Sequence, residues 1–119
     1  MERDLYSKLL EWKSARGRKP LLLRGARQTG KTWLLKVFGT AEYASLAYFN
    51  FEEDPNLKGF FDGRVRPSEI VENLSLYAGR PLRPGRDLIV FDEIQASDGA
   101  LKSLKYFFEN APEYHIAGA

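Results

Sequence analysis

The run Gly25, Ala26, Arg27, Gln28, Thr29, Gly30, Lys31, Thr32 constrains this chain more than any other feature. It spells G-x-x-x-x-G-K-[ST], a loop whose glycines let successive backbone N–H groups converge on phosphate oxygens. Such a loop works only between a strand and a helix, where the positive end of the helix dipole adds to the field on the anion. The flanks comply. "PLLLR" is an apolar run cut off by Gly25 and reads as a buried strand, and "WLLKVF" follows Thr32. The spacing therefore predicts that the backbone N–H groups of residues 25–32 cradle phosphate, that Lys31 reaches the β- and γ-phosphates, and that Thr32 offers its hydroxyl to Mg²⁺. Arg27 and Gln28 add side chains at the same place. Trp33 sits next to the nucleotide loop or packs in the core, core packing being the default expectation for a tryptophan there.

The remaining pattern alternates helix and strand. Leu5, Leu9 and Trp12 recur at helical spacing, predicting a helix over 2–15 that stops near Gly17. The phosphate-loop strand and loop occupy 20–32, and the next helix carries Leu34, Leu35 and Phe38 on one face with Gly39 as its cap. "SLAYFNF" reads as a second strand ending in Glu52, Glu53 and Asp54. "SEIVENLSLYAG" after Pro67 reads as a helix ended by Gly79. "DLIVFDE" gives a strand over 87–93 behind the basic loop "RPLRPGR". Leu101, Leu104 and Phe108 define a last helical face, closed by Pro112, and "YHIAG" gives a final core strand over 114–118. Strands alternating with helices imply a parallel sheet covered on both faces, a three-layer α/β domain.

A second constellation stands sixty residues beyond the loop. The strand "DLIVF" ends in Asp92 and Glu93, placing two carboxylates at the C-terminal edge of a parallel sheet, where such sheets bind ligands. Asp92 is the candidate magnesium residue. Glu93 is the candidate general base toward an attacking water.

Composition narrows the chemistry. There is no cysteine and a single histidine, His115, which leaves no thiolate zinc site, histidine metal cluster or histidine-based triad. Any metal is then a hard ion on oxygen ligands. The net charge of +2 conceals 10 Lys and Arg against 3 Asp and Glu in residues 1–36, and 8 against 13 in the rest. The positive third contains the phosphate loop, which suits an anionic ligand. "RGRK" at 16–19 is either a solvated basic turn, the plainer reading, or part of a nucleic-acid patch. His115 is expected as a packed strand residue and the acids at 52–54 as a solvated strand end. No apolar run approaches the ~20 residues of a membrane span, and the start lacks a signal-peptide core, so a cytoplasmic location is expected.

The stretches "GARQTGKTWLLK", "FNFEEDP", "LIVFDEIQ", "ALKSLKYFFENAPEYHIAGA" and "LYSKLLEWKSARGRKPLLLRG" together resemble the N-terminal ATPase domain of a bacterial and archaeal AAA-type family that carries a nuclease-like C-terminal domain of unknown function. The resemblance covers nearly the whole chain. It implies a P-loop NTPase of the ASCE/AAA-like type, ATP rather than GTP, Lys31 and Thr32 as loop residues, and Asp92 and Glu93 as magnesium and water residues. It implies a sheet in which the "YHIAGA" strand lies between the "PLLLR" and "DLIVF" strands. Such relatives continue with a sensor residue, a further strand, a lid and the C-terminal domain. Residues 1–119 are therefore expected to be one partial ATPase domain, weak or inactive alone, with "PLLLR" as an edge strand prone to self-association.

Two functions follow. One is Mg²⁺-dependent ATP hydrolysis coupled to a protein or nucleic acid through parts beyond this chain. The other is a nucleotide-dependent binding or scaffold module with negligible turnover. A small-molecule kinase is a weaker third, since no acceptor pocket is legible.

Overall fold

The structure, a computed structural model, describes residues 2–24, 30–63 and 66–119. Helices and strands alternate along it: α1 (Glu2–Ser14), β1 (Leu21–Leu22), α2 (Lys31–Glu42), β2 (Ser45–Asn50), α3 (Pro67–Ala78), β3 (Asp87–Asp92), α4 (Asp98–Asn110) and β4 (His115–Gly118). Two 3₁₀ turns, Pro55–Phe61 and Ile94–Ala96, follow β2 and β3. The four strands form one parallel sheet in the order β1-β4-β3-β2. β4 thus separates the strand before residues 25–32 from the strand bearing Asp92, as the resemblance implies.

Alternation along β3 divides the core. Leu88 and Val90 face α1 and α2, joining Leu9, Leu34, Leu35 and Phe38. Ile89 and Phe91 face α3, α4 and the first 3₁₀ turn, joining Phe51, Phe61, Ile70, Leu74 and Phe107. All six residues of β3 are buried. A strand covered on both faces reads as a continuous apolar run, and "LIVF" is that run. On the second face Phe51, Phe61 and Phe91 meet edge to face at 5.3 to 5.5 Å. Burying each ring contributes roughly 1.5–3 kcal/mol, and each ring pair about 0.5–1.5 kcal/mol more.

Three local expectations need correcting. β1 is half-buried rather than buried, because it lies at the sheet edge and pairs with β4 alone, Leu21 with Ala117 and Leu22 with Gly118. Gly39 does not cap α2, which runs on to Glu42. It is instead where the helix crosses the sheet most closely: a Cβ there would stand 2.6 Å from Leu46 Cδ1 and 3.0 Å from Leu88 Cδ2. The buried face of α4 is Ala100, Ser103 and Phe107, with Leu104 beside them, whereas Leu101 and Phe108 are exposed. Apolar residues on both sides of the true stripe allow two phases of the helical pattern, and Ala100 and Ser103 are too small to reveal which one packs.

The basic loop before β3 is committed to the fold. Asp87, fully buried, accepts from the Arg83 backbone N–H at 2.8 Å and guanidinium at 3.0 Å, and from the Ser45 hydroxyl, with Arg80 at 3.4 Å. Burial pushes the Asp87 carboxyl up, but Arg83, Ser45 and Arg80 together hold it down at about 2. Among the described residues no helix is long and apolar enough to cross a membrane.

Candidate nucleotide site

Because side chains alternate along a strand, Asp92 falls on the same face as Leu88 and Val90, the one α2 covers. α2 begins at Lys31, so Thr32 sits in its first turn. The two meet: Thr32 Oγ1 lies 3.1 Å from Asp92 Oδ1 and 3.2 Å from Oδ2. Asp92 is 6% exposed, and a carboxylate so enclosed needs donors around it. It has two more, the Glu93 backbone N–H at 2.9 Å and the Tyr48 hydroxyl.

Gly30, at the N-cap of α2, has φ +81° and ψ +7°, a left-handed conformation that glycine adopts without cost. No side chain caps the helix there. Lys31 folds back so that Nζ donates to the Leu23 carbonyl at 3.5 Å, just past β1. The ammonium therefore stands between the end of β1 and the start of α2, the two ends that the loop joins. Gly25, Ala26, Arg27, Gln28 and Thr29 lie outside the described residues.

Glu93 follows the last residue of β3 at φ +50°, ψ +45°, the one described non-glycine residue with positive φ. A β-unbranched acid held in the left-handed region carries a local cost, and such costs gather at functional positions. Its carboxylate accepts from Gln95 Nε2 at 2.6 Å. Asp92 and Glu93, adjacent in sequence, thus differ in setting, one enclosed against α2 and one half-buried at the turn.

Tyr48 and Asn50, on β2, also belong to this edge. In the parallel register Tyr48 pairs with Val90 and Asn50 with Asp92. Tyr48 leans along its strand to reach Asp92, while Asn50 Nδ2 donates to the Tyr48 hydroxyl at 3.3 Å and Lys36 Nζ stands 4.1 Å from the ring centre. Burial first, and then the Asp92 carboxylate, push the Tyr48 hydroxyl up to about 12, so it remains a donor at neutral pH. Sequence reasoning missed Tyr48, Asn50 and Gln95. The alternation in "SLAYFNF" puts Tyr48 on the face of Leu46, but only strand pairing shows that Asp92 lies across from it.

Trp33 does not pack in the core. It is 59% exposed, since Leu34, Leu35, Phe38 and Gly39 take the inward face of α2 and turn position 33 outward. His115 is a packed residue as expected, with Nδ1 2.6 Å from the Tyr43 hydroxyl. Arg18 of the "RGRK" turn donates to the carbonyls of Lys13 and Pro112, both at 3.1 Å, which ties part of that charge to the fold.

Among the described residues no group of three or more histidine, cysteine or acidic side chains could form a metal cage. The donors that do converge, a hydroxyl and one carboxylate, match a hard ion that takes only one or two protein ligands and completes its shell with phosphate and water, as Mg²⁺ does.

No curated protein and no solved structure matches the chain. A family model described as an AAA domain matches residues 17–118. That span includes the loop, α2, the Asp92 strand and β4, and with a parallel sheet beneath them the chain belongs to the AAA domain family of P-loop, ATPase-like nucleotide-binding domains.

Proposed function

We propose that this domain binds ATP with Mg²⁺ at the C-terminal edge of its sheet and hydrolyses it. The observation that carries the reading is the contact of Thr32 with Asp92 at 3.1 and 3.2 Å, joining the loop helix to the acidic strand. Lys31 binds the β- and γ-phosphates as a point charge, aided by the N-terminus of α2. Thr32 and Asp92 would hold magnesium, which when bound neutralises charge on the phosphate oxygens. The Glu93 carboxylate takes the proton of the water whose oxygen bonds to the γ-phosphorus as the bond to the β,γ-bridging oxygen breaks, leaving ADP and inorganic phosphate, and Gln95 orients that carboxylate. Trp33, exposed beside the loop, is available to the nucleotide. Turnover is coupled to a protein or nucleic-acid partner through parts beyond these residues, and the nuclease-like domain implied by the resemblance is one form of them.

A scaffold that holds nucleotide with negligible turnover is the second reading. It is favoured by the 2.6 Å hydrogen bond from Gln95 Nε2 to one of the two Glu93 carboxylate oxygens, a contact that competes with water at that oxygen.

The test is Lys31→Ala. Loss of a charge-assisted contact of roughly 1.5–3 kcal/mol weakens ATP binding in Mg²⁺ by about ten- to a hundredfold in calorimetry. Unchanged affinity in a folded variant rejects the phosphate site.

A further inference from the structure

Asp92 is held from two sides. Thr32 approaches from α2 and reaches both carboxylate oxygens, and Tyr48 approaches from β2 and donates to Oδ2. Tyr48 is itself fixed by two neighbours, Asn50 at its hydroxyl and Lys36 over its ring. Lys36 lies one helical turn beyond Thr32, so the same helix that supplies the hydroxyl also supplies the cation. Tyr48 pairs with Val90 in the sheet, one pleat short of Asp92, which leaves its hydroxyl rather than its ring at the carboxylate. Thr32, Lys36, Tyr48 and Asp92 thereby close a ring of contacts between α2, β2 and β3.

We infer that Tyr48 is a positioning residue for the Asp92 carboxylate, pinned by Lys36 and Asn50, and that it sets how strongly magnesium promotes nucleotide binding. The inference rests on the magnesium role proposed for Asp92. Groups that hydrogen-bond a metal ligand from behind orient it, and their loss weakens metal affinity by about ten- to a hundredfold. Tyr48 touches neither phosphate nor the attacking water in this scheme; it acts through Asp92.

The experiment measures ATP affinity by calorimetry in saturating MgCl₂ and in EDTA, and takes the ratio of the two. Tyr48→Phe lowers that ratio by about tenfold. In an Asp92→Asn background the same substitution changes it by less than about twofold, because the partner through which Tyr48 acts is gone. Lys36→Met keeps the hydroxyl but frees the ring, and lowers the ratio by about two- to fivefold; it remains readable if Tyr48→Phe does not fold. An unchanged ratio in Tyr48→Phe, or a tenfold effect that persists with Asp92→Asn, overturns the inference while leaving the magnesium site intact. A wild-type chain that binds ATP equally well in MgCl₂ and EDTA overturns the magnesium role itself, and the inference with it.

Discussion

Thr32 and Asp92, sixty positions apart, share a hydroxyl–carboxylate contact of 3.1 Å at the edge of the sheet. Each residue has the partner that magnesium chemistry would ask of it. Removing either end has a specific consequence: Asp92→Asn keeps the shape and loses the charge, so nucleotide binding becomes nearly independent of Mg²⁺. Titrating MgCl₂ into the ATP-bound variant checks this, and a wild-type magnesium response would remove Asp92 from the metal role.

Glu93→Gln separates binding from turnover. A general base contributes about 10²–10⁴ in rate, so on the proposed mechanism phosphate release falls by that factor while ATP remains bound. Equal turnover of variant and wild type leaves the scaffold reading in front.

The left-handed backbone at Glu93 offers an independent check. Glu93→Gly relieves that conformation and raises stability by about 1 kcal/mol, measured by urea unfolding, while abolishing turnover. A variant less stable than wild type would mean that the Glu93 side chain supports the fold rather than carrying a cost for function.

Acid should destabilise the domain in two steps. Burial, with Arg18 and Lys13 adding, holds His115 down at about 4, whereas an unfolded histidine titrates near 6.5. The unfolded chain therefore binds the extra proton first, and on the order of 3 kcal/mol of stability is lost as pH falls from 6.5 to 4. Asp87, held at about 2 against an unfolded value of 3.8, contributes stability that is lost below that, between 3.8 and 2. His115→Gln flattens the first step in melting temperature against pH and leaves the second. Parallel curves for variant and wild type between pH 7 and 4 would reject His115 as the source.

At Gly39 the helix has no room for a side chain. Gly39→Val places a branched Cβ against Leu46 and Leu88 and costs about 2 kcal/mol in spite of better helix propensity than glycine. A variant as stable as wild type in denaturant titration would show that Leu46 and Leu88 yield freely.

Local chemistry made much of this protein legible. The motif at 25–32 is contiguous and so readable along the chain, and "LIVF" before Asp92 announces a strand buried on both faces. The resemblance supplied the strand order that the sheet shows, with β4 between β1 and β3. Amino-acid sequence alone was weaker wherever the outcome depended on which neighbour a residue would meet. Trp33 looked like core because tryptophan usually is, yet the phase of α2 turned it outward. Gly39 looked like a cap because glycine often ends helices, yet the closeness of α2 to β2 and β3 made it a crossing point. Tyr48 carried no motif at all. Its link to Asp92 exists only because β2 lies beside β3 in parallel register, and contacts across strands follow from sheet pairing rather than from any spacing along the chain. Sequence by itself displayed the loop motif and the acidic strand end, which are local patterns; tertiary structure decided what surrounds Asp92, because the partners of a buried carboxylate are chosen by packing.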